Sequence, residues 1–114
     1  MKTDTNTADS GLMAFVTAPN EEEAARLAEA LVSERLAACV NLVRGIESIY
    51  RWEGEVTRDR EVLLIIKTTR GRYGELERRV KELHSYSTPE VIAFKIEQGS
   101  REYLDWLRES TRIQ

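Results

Sequence analysis

Between Ile46 and Val56 the apolar residues Ile46, Tyr50, Trp52 and Val56 fall on even positions, and the charged Glu47, Arg51, Glu53 and Glu55 fall on odd ones. Side chains alternate across a strand, so this spacing predicts strand, with Gly54 supplying a tight reversal inside a long hairpin. The second arm runs through Thr57-Arg58-Asp59-Arg60-Glu61, polar at every position, into the unbroken apolar run Val62-Leu63-Leu64-Ile65-Ile66. An unalternating run of that kind suits a strand covered on both faces. A hairpin so long, with a polar tip and aromatics on one face, overhangs a small core and calls for a partner surface. Self-association is the expectation.

The remaining elements follow from local signals. Leu12 to Thr17 is a short apolar run closed by Ala18-Pro19, a first strand. Asn20 stands at a helix N-cap with Glu21, Glu22 and Glu23 in the first turn, where free backbone N–H groups favour negative charge. Glu23, three residues after Asn20, matches a capping box. Ala24, Leu27, Ala28, Leu31 and Arg35 continue at helical spacing, and Ala37 to Val43 returns to strand before Arg44-Gly45 leads into the hairpin. After Thr68 a second helix carries Tyr73, Leu76, Val80 and Leu83, with His84 at its end and Pro89 barring continuation. Val91 to Ile96 reads as strand, and Ser100 to Glu109 as a closing helix bearing Tyr103, Trp106 and Leu107. The order β-α-β-β-α-β plus a terminal helix predicts an α+β, ferredoxin-like split β-α-β sandwich with an antiparallel sheet. Residues 1–11 form a polar tail expected to be frayed, and residues 12–114 form one domain.

Composition narrows the function classes. A formal net charge of -3 lacks the basic excess of a nucleic-acid binder. No apolar run approaches the roughly 20 residues that span a bilayer, and the tail has no apolar secretion core. Cys39 is the single cysteine, so no intrachain disulfide forms and a reducing cytoplasm is the natural setting. No Gly-rich phosphate loop follows a strand, and Ser85 and Ser87 lie too near His84 in sequence to form a nucleophile–base pair. An enzyme is not expected.

Six motifs in order carry a family resemblance: Thr17-Ala18-Pro19-Asn20-Glu21, Leu36-Ala37-Ala38-Cys39-Val40-Asn41, Ser48-Ile49-Tyr50-Arg51-Trp52-Glu53-Gly54, Ile66-Lys67-Thr68, His84-Ser85-Tyr86-Ser87-Thr88-Pro89-Glu90 and Tyr103-Leu104-Asp105-Trp106-Leu107. From about Leu12 to Glu109 the chain resembles the CutA family of divalent-cation tolerance proteins. That resemblance implies a cytoplasmic homotrimer involved in metal tolerance, with copper or another divalent metal ion as ligand. His84 and Cys39 are the candidate metal donors, since imidazole and thiolate both suit copper. At two positions where some family members carry a cysteine and a second histidine, this chain has Val16 and Leu83, neither able to ligate. The bland alternatives are that His84 caps its helix and that Cys39 packs as a small hydrophobe.

A second reading is a signalling module similar to the PII-type trimers, binding a small metabolite between subunits. Trp52, Lys67, Tyr86 and Glu90 would line that cleft with an indole, a cation, a phenol and a carboxylate. Against it stands the simpler view that Tyr50 and Trp52 are packing anchors at an oligomer contact.

Overall fold

The architecture comes from a computed structural model describing residues 7–113. Its elements run β1 (Gly11–Ala18), α1 (Glu21–Ser33), β2 (Cys39–Trp52), β3 (Glu55–Thr69), α2 (Arg70–Leu83), β4 (Val91–Lys95) and α3 (Arg101–Ser110). The sheet order is β2-β3-β1-β4, and every neighbouring pair is antiparallel.

Strand periodicity decides which side of this sheet becomes the core. Leu12, Ala14, Val16 and Ala18 of β1 and Val62, Leu64 and Ile66 of β3 alternate with less buried residues and are themselves buried. All of them but Leu12 meet Ala24, Leu27 and Leu31 of α1 and Leu76 and Val80 of α2 in one cluster. Asn20 caps α1 as its sequence position requires, accepting the amide of Glu23 at 2.8 Å. The helix ends sooner than its apolar spacing implied. Arg35 lies beyond it at φ 61°, a left-handed residue after which Leu36 and Ala37 return their amides to the carbonyl of Leu31. Its guanidinium instead reaches the carbonyls of Glu109 and Arg112 at the end of α3.

The tail differs from the frayed segment expected over residues 1–11. Residues 1–6 lie outside the described part of the chain, but from Thr7 onward the backbone is engaged. The carbonyls of Ser10 and Ala8 accept the amides of Arg70 and Gly71, satisfying the first turn of α2 in place of a side-chain cap. Gly71 permits the approach, because a Cβ there would meet Ala8 at 3.0 Å.

The hairpin is longer than its sheet. Glu61 and earlier β3 residues pair only with β2, so about seven residues, or roughly 23 Å of ribbon at ~3.3 Å per residue, project beyond β1. The polar run Thr57 to Glu61 is therefore ladder and not tip: it pairs with Ile46 to Tyr50. The tip is the two-residue loop Glu53-Gly54, with φ 49° and 81°, the left-handed pair that matches the twist of a two-residue hairpin. Because Trp52 pairs with Glu55, alternation reverses across the turn. Val56 thus opposes Arg51, on the face opposite Tyr50 and Trp52 and not beside them as the even spacing implied. A bulge between Val43 and Ile46, with Gly45 at φ 69°, has already added one residue to β2.

The sheet face away from α1 and α2 is only partly covered. α3, capped by Ser100, packs on β1 and β3 and buries Leu107. Phe15 and Phe94 meet edge to face at 5.1 Å on this side, yet Phe94, Ile92 and Val43 remain exposed.

Two glycines should respond oppositely to substitution. Gly54→Val is expected to destabilise the chain by about 1–2 kcal/mol, because a side chain is strained at that φ. Gly74→Ala, mid-helix on α2 with open space around its Cβ, is expected to stabilise by about 0.5–1 kcal/mol. Denaturant melts of both variants read the two signs directly.

Candidate functional site

The most connected polar group of the molecule forms where α2 stops. His84 is the C-cap of that helix and donates its amide to the carbonyl of Val80 at 2.8 Å. Its ring is buried against the end of β1 and the start of α1, with no exposed side-chain area. Nε2 lies 2.8 Å from the carbonyl of Thr17, which can only accept, so Nε2 carries the hydrogen. Nδ1 accepts the amide of Tyr86 at 3.0 Å. The partners thereby assign the neutral Nε2–H tautomer.

Glu23 completes the knot from α1. Its Oε2 accepts both the amide and the hydroxyl of Ser85 at 2.9 Å and stands 3.3 Å from Nδ1 of His84. The capping box is thus half made. Asn20 bonds Glu23's amide, but Glu23's carboxylate turns to the loop after α2. Burial pushes this carboxyl up, but the two bonds from Ser85 and the neighbourhood of His84 and Arg26 outweigh it and hold the group below its ordinary value. Tyr86 extends the network, its ring 4.8 Å from that of His84 and its hydroxyl donating to Glu61 at 2.9 Å. Burial, and then the bond to Glu61, push this phenol well above its usual range. Glu61 is itself buried at the root of the projecting ribbon. Tyr50 makes a similar bond to Asp59 further out.

These bonds decide how the candidate metal donors fare. A metal needs a free nitrogen lone pair, and both nitrogens of His84 are committed, one as donor and one as acceptor. His84 as placed does not fit a metal. Cys39 opens β2, half-buried, with the Nζ of Lys67 and the Oδ1 of Asn41 each 3.9 Å from its sulfur. A cation beside the thiol is a poor companion for a second cation. Moreover Cys39 pairs with Lys67, whereas His84 is tied to Thr17, which pairs with Leu63, four residues away along β3 or about 13 Å. Among the described residues no three His, Cys, Asp or Glu side chains stand together as a metal set. Within one subunit, then, His84 and Cys39 do not come together as a pair of metal donors.

The cleft expected from Trp52, Lys67, Tyr86 and Glu90 is not assembled within one subunit either. Trp52 faces Glu55 at the ribbon tip, twelve residues of β3 from Lys67, which is roughly 40 Å. Lys67 hydrogen-bonds Asn41, Tyr86 sits midway on Glu61, and Glu90 is exposed before β4. Sequence reasoning missed Glu23 and Glu61 as partners of this region. Glu23 gave a signal, an acidic N3 residue, that pointed equally well to its own helix cap. Glu61 gave a fainter one, a carboxylate abutting an apolar strand.

The protein so described is a small α+β chain with an open antiparallel sheet, an overhanging ribbon and a knot in which buried His84 and Glu23 meet the exposed Tyr86, without an assembled catalytic set among its described residues. Residues 12–110 match the family model described as CutA1 divalent ion tolerance protein. The divalent-cation tolerance protein CutA of Thermus thermophilus is 58% identical over 97 residues, covering 85% of this chain and 94% of that one. Protein CutA 1, chloroplastic, of Oryza sativa is 51% identical over 108 residues, which are 95% of this chain but only 61% of the rice protein. The Thermus protein's solved structure superposes with a TM-score of 0.88 at 55% identity, covering 90% of this chain and 99% of that one. A structure titled periplasmic divalent cation tolerance protein CutA from Archaeoglobus fulgidus gives 0.87 at 40% identity, with the same coverage of each chain. The chain belongs to the CutA1 family of divalent ion tolerance proteins. No helix among the described residues is long and apolar enough to cross a membrane.

Glu23 makes the knot acid-sensitive. A carboxyl held below its ordinary value of 4.5 in the folded chain adds stability above that value and loses it as pH falls through the lower, folded value. The parent should lose stability below about pH 4.5 more steeply than Glu23→Gln, which keeps an acceptor for Ser85 but cannot ionise. Glu23→Ala, which orphans the Ser85 amide, should lower stability at neutral pH by about 1–3 kcal/mol. Denaturant melts from pH 3 to pH 8 give both results.

Proposed function

We propose that this chain works as a non-enzymatic homotrimer in the response to divalent metal ions, with copper or another divalent ion bound weakly or shared between subunits. The observation that carries the reading is apolar surface its own chain leaves bare. On the sheet face away from α1 and α2, Ile92 is 51% and Phe94 46% exposed, while on the ribbon Trp52 is 57% and Val56 70% exposed. Exposed apolar surface of this kind marks an interface, and a ribbon extending beyond its own sheet is well formed to lie on a neighbouring copy. The strand order β2-β3-β1-β4 supports a ferredoxin-like sandwich, whose open face suits such packing. The number three rests on the family resemblance.

The commitment of both His84 nitrogens supports metal contact that is weak or built from more than one chain. A reducing cytoplasm is the compartment that the single, unpaired Cys39 supports. The rice relative is named chloroplastic and the Archaeoglobus structure periplasmic, so compartment varies among relatives.

Light scattering on the purified chain should return three chain masses, and chelators should change neither that size nor the melting point. Phe94→Asp with Ile92→Asp should break the assembly into monomers; a monomeric parent would overturn the reading. Calorimetric titration with Cu(I), Cu(II) and Zn(II) should give equal affinities for the parent and His84→Gln. A loss of affinity in the variant would return His84 to a metal site.

A further inference from the structure

The projecting ribbon sorts its charge by face. Strand registry puts Tyr50, Trp52, Glu55, Asp59 and Glu61 on one side, which carries three carboxylates and no cation. Arg51, Arg58 and Arg60 stand on the other side, with Glu47 as its one acid. The side-chain bonds agree with this division. Tyr50 reaches Asp59 across the first face, and Arg58 reaches Glu47 across the second at 3.2 Å. Among the described residues the side chains of Glu55 and Arg60 have no partner, and both are exposed. Apolar groups divide as well: the rings lie on the acidic side, while Ile49, 58% exposed, and Val56 lie on the basic one.

We propose that the ribbon docks unlike face on unlike face, the arginine side of one copy covering the acidic, aromatic side of the next. This rests on the self-association argued above and adds the polarity of the contact. A guanidinium is planar, so it can stack on an aromatic ring while its N–H groups fork onto a carboxylate. Tyr50 and Trp52 with Asp59 and Glu55 offer both kinds of partner on one face, and all four are exposed. Ile49 and Val56 add apolar contact from the opposite ribbon. Glu61 takes no part, because it is buried and accepts the Tyr86 hydroxyl, so docking begins beyond the ribbon root.

Charge also says why the occupant is a second copy and why the contact has a direction. Acidic on acidic would set three carboxylates against three with no cation between them, and basic on basic is repelled in the same way. Like-charge juxtaposition of this kind is what excludes a wrong partner. Both complementary faces belong to one ribbon, so they match in length and twist and are present in equal amounts. A contact between unlike faces leaves one face open on each copy, and the assembly closes only as a ring. A twofold pair would use one face twice. Exposed ion pairs contribute little by themselves; here they choose which faces meet, and the rings and aliphatic side chains hold them together.

Charge reversal tests the polarity. Glu55→Arg with Asp59→Arg makes the acidic side basic, and Arg58→Glu with Arg60→Glu makes the basic side acidic. Each pair alone should raise the concentration at which the assembly dissociates about a hundredfold, read by light scattering on dilution, and added salt should reduce the defect. All four substitutions together restore unlike charges at every contact and should return the parent's size. Coexpressed with a tagged parent, that chain should form mixed assemblies about tenfold less often than untagged parent does, as counted by native mass spectrometry. Arg58→Lys keeps the charge and offers an amine. In assemblies co-refolded from isotope-labelled and unlabelled chains, carbodiimide should join that amine to Glu55 or Asp59 of the other copy. A monomeric parent would remove the assembly itself. With an assembled parent, statistical mixing with the chain reversed on both faces would overturn the unlike-face contact alone, as would an introduced amine that links only to Glu47 of its own chain.

Discussion

The pairing of β2 with β3 governs the rest of this molecule. β3 is the strand that must satisfy two partners over one half of its length and a single partner over the other. Where β1 is present, β3 supplies Leu64 and Ile66 to a core closed by two helices. Where β1 ends, the same backbone continues with only β2 beside it, and beyond its root, where Tyr86 bonds Glu61, its residues are largely exposed. The molecule is consequently elongated, 52 Å along its major axis against 25 and 22 Å across. A chain of this size that puts so much ladder outside its core gives up burial it could have had. The unsupported ribbon is reasonable only if its apolar residues meet something else.

Much of this was legible in the residues. Element order, the Asn20 cap, the Gly54 reversal and the apolar faces of β1, β3, α1 and α2 follow from local spacing, because each depends on a period of two or near four and on nearby capping chemistry. Two of the misread details depend on residues distant in sequence, and a third on how the hairpin turn pairs its arms. Val56 changed faces because strand pairing across a two-residue loop, and not the count of positions, sets the side. Arg35 left its helix to close the end of α3. Glu23 gave its carboxylate to Ser85, 62 positions away, and not to its own helix start.

The candidate site shows the same division. His84 at a helix end was readable, and so was its alternative role as a cap. That both its nitrogens are occupied is a fact about Thr17 and Tyr86, one of them in a strand 67 residues earlier. Cys39 and His84 could be grouped by chemistry in a sequence, but antiparallel registry separates them. The knot also leaves no described polar side-chain atom that is buried without a partner. A buried histidine beside a buried carboxylate is costly unless every hydrogen-bonding site is met, and here the loop's own backbone meets them.

The bulge at Arg44 and Gly45 takes up one residue of β2 and lets the ladder resume on the far side. It is the one place where β2 carries a residue that β3 does not answer, so it sets which side of the overhanging ribbon bears Tyr50 and Trp52 and which bears Ile49 and Arg51. Loss of that one residue would leave Val43 opposite Leu63 and Ile46 opposite Glu61, so the projection would keep its two faces and lose only the local kink and added twist. A one-residue insertion or deletion further out along β2, with no bulge to absorb it, would instead carry Tyr50 and Trp52 to the other side of the ribbon.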